Sequence, residues 1–169
     1  MKLGETLAFG AVVAIILLAL MNGMQGNFKG VMAVNYLTTG QTALDYRTLA
    51  RQDAQAHGIP ADLYERQINQ ESGFNPNAVS PSGAIGIAQI MPDTAKGWGV
   101  DPHDPVASLN VAADHMSWYQ SKYGSFDKAL ACYNAGTDAL EKAIARYGSN
   151  WRIGLPAETQ RYITAIMGV

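Results

Sequence analysis

The sequence predicts an all-α, mostly helical domain preceded by one N-terminal transmembrane or signal helix. Three observations carry this. Between residues 43 and 167, outside the loop-rich stretch 73–105, apolar side chains recur at three- and four-residue spacing, as one face of a helix requires. No alternating run longer than four residues stands out that would build a half-buried strand. Finally, residues 6–28 contain no charged side chain around the apolar run Leu7 to Met21.

A membrane span needs about 20 apolar residues, and the centre of a signal peptide roughly 7–15. The N-terminal run falls between the two. Lys2 is nearly balanced by Glu5, and Asn22 to Gly26 offers no small-x-small cleavage site. Val31-Met32-Ala33 fits that pattern but lies far downstream. Three readings therefore stand: an uncleaved anchor, a cleaved signal, or a buried core helix. The first two send the remaining chain across a membrane. Residues 1–28 are thus expected to be the anchor or signal segment, 29–42 a linker, and 43–169 the folded domain.

Each later element has its own signal. Ala43 to His57 reads as a helix, with Thr42 as N-cap and Gly58 and Pro60 stopping it. Asp62 to Ser72 is a second helix. Leu63, Gln67, Ile68 and Glu71 fall on its neighbouring positions, so Glu71 shares a face with Ile68. Gly73 to Pro105 is rich in Gly and Pro and reads as loop, with one short helix after Pro92. Val106 to Tyr123 is amphipathic, with Leu109, Ala112, Ala113, Met116 and Tyr119 on one side. Phe126, Ala129, Leu130 and Tyr133 repeat the pattern, and helices near Ala139–Tyr147 and Glu158–Met167 complete the chain.

Composition excludes some functions. The chain has 169 residues, a formal net charge of −2 and only 15% charged residues, with no Lys/Arg cluster, so nucleic acid is not expected as a partner. Cys132 is the only cysteine, which rules out an intrachain disulfide, and it lies in the apolar run Ala129 to Tyr133. It reads as a small buried hydrophobe, because nothing ties it to His57, His103 or His115 as a nucleophile would require.

Four stretches hold groups suited to chemistry. In Gln70-Glu71-Ser72-Gly73-Phe74-Asn75-Pro76 a glutamate ends a helix while facing its apolar side. Desolvation there raises a carboxyl pKa, as a general acid near neutrality needs; a plain helix-end Glu in water is the competing reading. In Ser82 to Pro92, Gly83 and Gly86 allow close backbone approach to a ligand, and Gln89, alone among apolar neighbours, could orient a sugar amide or hydroxyl through both its donor and its acceptor. A tight turn with an exposed Gln would look the same. No strand precedes this stretch and the phosphate-binding lysine is missing. Tyr133-Asn134-Ala135-Gly136 ends a helix at a capping glycine, leaving two polar side chains just inside the end. Glu158-Thr159-Gln160-Arg161-Tyr162-Ile163 follows Pro156, where the helix dipole alone would favour Glu158. Asp101-Pro102-His103-Asp104-Pro105 reads as a solvated turn, and no metal or cofactor is expected.

The order and combination of these stretches are more specific than any one of them. From about Asp45 to Met167 the chain resembles the catalytic domain of the soluble-type lytic transglycosylases, relatives of goose-type lysozyme. The matching segments are Glu71 to Ser80, Gly83 to Ala95, Ala131 to Gly136 and Glu158 to Ile163. Ile87-Ala88 stands where the family often has Leu-Met, and Cys132-Tyr133 where it often has Ala-Tyr. These departures bear on subsite width and leave the reaction untouched.

The resemblance implies a lysozyme-like fold with a glycan cleft and Glu71 as the lone acid and base. It implies that Ser80 holds or polarises Glu71, and that Gln89 and Met91 line the cleft. Tyr133 and Asn134 would contact the sugar at the cleaved bond, and Tyr162 would hydrogen-bond near Glu71, with Glu158 close by. The implied reaction cleaves the MurNAc-GlcNAc β-1,4 bond of peptidoglycan and closes a 1,6-anhydromuramic acid end. A hydrolase on the same fold and a non-catalytic wall-binding component are the alternatives. An anchored wall-cutting domain on the periplasmic or cell-wall side suits wall turnover, a secretion or conjugation apparatus, or the membrane of a phage virion.

Overall fold

The computed structural model describes residues 45–168, which carry seven α-helices and one 3₁₀ segment. The predicted anchor, signal and linker at residues 1–42 lie outside the described residues. Among the described residues, no helix is long and apolar enough to cross a membrane.

Helix α1, Tyr46–Ala56, is capped by Asp45, whose carboxylate accepts from Arg47 N at 3.1 Å. The cap expected at Thr42 lies outside the described residues, and Asp45 satisfies the free N–H groups instead. Helix α2, Ala61–Ser72, starts behind Pro60, which presets φ, and ends at Gly73. Gly73 has φ 62°, the left-handed conformation that lets a chain leave a helix abruptly. The single short helix expected after Pro92 is α3, Pro92–Trp98. Helix α4, Pro105–Tyr123, is capped by Asp104, which accepts from Val106 N and Ala107 N at 3.0 Å. Asp101 accepts from His103 N at 2.9 Å, so the Asp101 to Pro105 stretch is a capped turn. Helices α5, Phe126–Ala135, α6, Thr137–Tyr147, and α7, Ala157–Met167, follow, with the 3₁₀ segment Gly148–Gly154 between the last two.

The core gathers around α5, which packs on α4, α6 and α7. Its Ala129, Leu130, Ala131 and Cys132 are all buried, so it is covered on nearly every side. Cys132 is the buried hydrophobe the sequence suggests, and burial pushes its thiol up to about 11. On α4, Leu109, Ala112, Ala113 and Met116 form the buried stripe, whereas Tyr119 at its edge is only half-buried. Helix α2 lies between α1 and α7. Two arginines of α1 reach acids on the outer side of α2: Arg51 to Asp62 and Glu65, each at 2.6 Å, and Arg47 to Glu65 at 3.2 Å.

The loop between α2 and α3 is seated in this core. Ile87 and Ala88 are fully buried and Ile90 nearly so. Isolated antiparallel bridges join Val79 to Ile85 and Ile85 to Ile90, giving the loop a fixed path without a full strand. Gly86, with φ 77°, passes so close to the Pro102 carbonyl that a Cβ would lie 2.1 Å from its oxygen. The close approach expected at this glycine is therefore to the chain's own backbone, not to a ligand.

Candidate active site

Glu71 occupies the last turn of α2. It lies four residues after Gln67 and seven after Tyr64, both fully buried, so its side chain leaves the helix on the core-facing side. The helix ends one residue later, and Glu71 is half-buried at the boundary between core and surface. The Tyr162 hydroxyl of α7 donates to Glu71 Oε1. Burial pushes the Glu71 carboxyl up to about 7, with the Tyr162 hydrogen bond pulling the other way. The acid thus keeps its proton at pH values where an ordinary glutamate has lost it.

Two further tyrosines feel the Glu71 charge. Tyr64 donates to Leu109 O at 2.6 Å and Tyr133 to Ala88 O at 2.7 Å. Burial first, and the Glu71 carboxylate with it, holds the phenols of Tyr64, Tyr133 and Tyr162 well above their ordinary range. The acid therefore has neutral neighbours that can hydrogen-bond, and no cation offsets its burial. The other carboxylates of α2, Asp62 and Glu65, are committed to arginines on the outer face.

The loop is tied to the acid's helix and to α5 by hydroxyl groups. Ser72, next to Glu71, donates to Ile87 O at 2.6 Å, and Tyr133 holds the adjacent carbonyl of Ala88. Ser80 is bound within the loop: its Oγ accepts from Ala84 N at 2.9 Å and lies 2.9 Å from Ser82 Oγ. Among the described residues, Glu71 takes its hydrogen bond from Tyr162 and not from Ser80, whose own bonds stay within the loop. Gln89 has a positive φ of 49°, uncommon for a residue with a Cβ. Its Nε2 donates to Gly86 O at 2.8 Å and to Ala78 O at 3.3 Å. Both amide hydrogens thus brace the loop, and only the Oε1 acceptor is left for a ligand; the donor role expected of Gln89 is taken up internally.

Met91 caps α3 and is exposed, as a surface-lining residue would be. Asn134 is exposed in the last turn of α5, one residue from Tyr133. Glu158 is exposed in the first turn of α7, one helical turn before Tyr162. The structure brings Glu71, Tyr133 and Tyr162 together, with Ser80 and Gln89 in the loop between. The replaced family positions Ile87, Ala88 and Cys132 are buried beneath the site rather than on its surface.

Three residues of this neighbourhood were not singled out from sequence as site residues. Tyr64, seven residues before Glu71, was legible from helical spacing. Ser72 looked like a helix-end residue, and its bond to Ile87 needs the loop's fold. Gln67 was placed on the Glu71 face. Its buried amide lies beside the Tyr162 hydroxyl without a well-formed hydrogen bond.

Comparisons with known proteins bear on the family and the fold. The family model described as the transglycosylase SLT domain matches residues 48–152. The chain is 33% identical over 113 residues to membrane-bound lytic murein transglycosylase D of Escherichia coli, covering 59% of this chain and 25% of that protein. It is 32% identical over 172 residues to membrane-bound lytic murein transglycosylase C of Haemophilus influenzae, covering 86% and 47%. It is 28% identical over 124 residues to a transglycosylase of Enterobacteria phage PRD1, covering 73% and 44%. The chain spans less than half the length of each of these relatives. Among solved structures, the 70 kDa soluble lytic transglycosylase of Escherichia coli shares the fold with a TM-score of 0.65 at 24% identity, over 74% of this chain and 23% of that one. An inactive mutant of the lytic transglycosylase Slt from Pseudomonas aeruginosa does so at 0.64 and 21%, over 88% and 28%. With the matched residues spanning α1 to the 3₁₀ segment and enclosing Glu71, the chain belongs to the transglycosylase SLT domain family.

Proposed function

We propose that this protein is a peptidoglycan lytic transglycosylase in which Glu71 is the single acid and base. The observation that carries the reading is a carboxyl at the core boundary, raised to about 7 by burial and hydrogen-bonded by Tyr162. A carboxylic acid must be protonated to donate, and an ordinary glutamate near pH 7 is not. The lytic murein transglycosylases among its relatives support the substrate class.

A two-carboxylate glycosidase needs a second acid flanking the scissile bond. The acids on the Glu71 helix are held elsewhere by Arg47 and Arg51, which favours assistance from the substrate. Glu71 gives its proton to the glycosidic oxygen as the C1–O bond breaks. The N-acetyl group of the same sugar supports the anomeric carbon. The Glu71 carboxylate then takes the proton of the muramic acid C6 hydroxyl while O6 bonds to C1, closing the 1,6-anhydro ring. The proton returns to Glu71, and no water is consumed. Proton transfer of this kind contributes roughly 10²–10⁴-fold. Tyr162 steadies the carboxylate between the two transfers, and Tyr133 and Asn134 lie where the sugar would pass.

Digestion of purified peptidoglycan followed by product mass analysis tests the reading. Anhydro ends are expected. Products heavier by one water would make the protein a hydrolase, and no products would leave only a wall-binding role. We further infer that residues 6–28 hold the chain at the envelope, in a membrane or a virion, as the names of its relatives suggest. An N-terminus beginning after Ala33 in the mature protein would show a cleaved signal instead.

A further inference from the structure

One feature is left unused by the acid and its loop: a line of aromatic rings leading away from Tyr133. Trp98, the last residue of α3, has its ring centroid 6.1 Å from that of Tyr133, tilted by 52°. Its other neighbour is His115 of α4, stacked at 3.9 Å and 13°. His115 in turn lies 6.2 Å from Tyr119, and Tyr119 meets Trp118 edge-on at 5.3 Å. Trp98, His115, Trp118 and Tyr119 border a cavity of about 510 Å³ that Asp114, Ser117 and Ser121 also line.

Core packing does not account for the line. The buried stripe of α4 is Leu109, Ala112, Ala113 and Met116, and His115, Trp118 and Tyr119 lie off it. Trp118 is 52% exposed and adjoins the ring of Tyr119 rather than standing alone, and a contiguous exposed apolar surface is what marks a contact site. It is nevertheless held in place: Lys122 Nζ sits 5.3 Å over its ring and is itself bound to Glu141 at 3.2 Å. Burial keeps the His115 imidazole below its ordinary value, so near pH 7 it stacks as a neutral ring.

The chemistry of the line suits one kind of occupant. A pyranose ring has a C–H face that gains dispersion and apolar burial on an aromatic ring, and a hydroxyl edge that needs polar partners. Aromatic walls with a few polar groups at the rim supply both. The line also begins at Tyr133, whose phenol feels the Glu71 charge, so it starts in the acid's own neighbourhood. We infer that Trp98, His115, Tyr119 and Trp118 form a platform for an N-acetylated pyranose of the same glycan strand, remote from the scissile bond. The inference rests on the glycan-cleaving reading above and adds to it a second grip on the polymer.

The test is fluorescence titration of the full chain carrying Glu71→Gln with a six-ring N-acetylglucosamine oligomer, with and without Trp118→Ala. Trp118 is exposed, so the fold should survive its loss, as circular dichroism would verify. The Kd is expected to rise about fivefold or more, from lost stacking and apolar contact, and Trp118→Phe should recover most of it. A smaller change, or no recovery by Phe, overturns the platform. The two readings can fail separately. If the unaltered chain releases anhydro ends while Trp118→Ala binds as tightly as its parent, the platform falls and the activity stands. If binding depends on Trp118 but the unaltered chain cuts no wall, the activity falls and the sugar platform stands. If neither binding nor cutting occurs, both fall.

Discussion

Glu71 and Asp53 are both acids withdrawn from water, and their surroundings differ in an instructive way. Asp53, on α1, is 2% exposed and faces α4, where Asn110 Nδ2 donates to its Oδ1 at 3.3 Å. The same Nδ2 lies 3.3 Å from His57 Nε2, and His57 Nδ1 is 3.4 Å from Asp114. Among the described residues the Asp53 Oδ2 has no hydrogen-bond partner, and burial pushes the group up to about 6. Glu71 is raised further, to about 7, yet keeps part of its surface in solvent and lies at a helix end beside a loop. Desolvation raises both acids in the same way. What sets Glu71 apart is access: part of its surface meets solvent, whereas Asp53 is sealed between two helices. A raised pKa marks a candidate acid, and only exposure of the carboxyl makes it usable.

The largest test of this contrast is activity. Glu71→Gln should lower the release of soluble fragments from purified peptidoglycan by about 10²–10⁴-fold, the usual share of a general acid. Asp53→Asn should leave the same rate within about threefold, and a large loss there would mean that the sealed acid takes part. Stability should behave in the opposite way, with the two sites alike. An acid whose folded pKa is raised takes up a proton on folding. Its cost is therefore absent below the unfolded pKa and fully present above the folded one. At pH 8 either amide substitution should stabilise the domain, by up to about 3 kcal/mol from the shifts involved. The gain should fade as the pH falls through about 7 for Glu71, or about 6 for Asp53, and vanish near pH 4; urea titrations at the two pH extremes would read it. The smallest effect concerns the hydrogen bond itself. Tyr162 lowers the Glu71 pKa, so Tyr162→Phe should move the alkaline limb of the kcat/KM profile upward from about 7 while lowering the rate roughly tenfold. Ser80→Ala, which loosens the loop without touching the acid, should lower the rate less and leave the limb in place.

Much of this fold is written locally. The helices from Asp62 onward follow their apolar spacing, and Asp104, Gly73 and Pro92 mark boundaries by chemistry that acts within four residues. The start of α1 was less legible, since Thr42 and Asp45 are both good caps and only the folded chain selects Asp45. The site was legible as residue types and as a family pattern. The Glu71–Tyr162 pair spans 91 positions in sequence, and only the α2–α7 contact makes it geometry. Roles within the loop were the least legible. Gln89 seemed free to bind a sugar from both ends of its amide, but its two donors go to Gly86 and Ala78, carbonyls whose positions depend on the whole turn. Asp53 gave no signal, because a lone Asp in a polar stretch of helix looks solvated until Asn110 and His57 are packed against it.

The seating of the loop has a kinetic consequence. A segment that covers an active site often opens and closes in each cycle, and that gating can set the turnover rate. Here the segment is fastened by Ile87, Ala88 and Ile90 in the core, by the Ser72 and Tyr133 hydroxyls, and by Gly86 lodged against Pro102. It has no free swing of its own. In the proposed reaction the glycan would therefore meet a loop already seated, and the pace of a cycle would pass to the chemistry and to the movement of the strand.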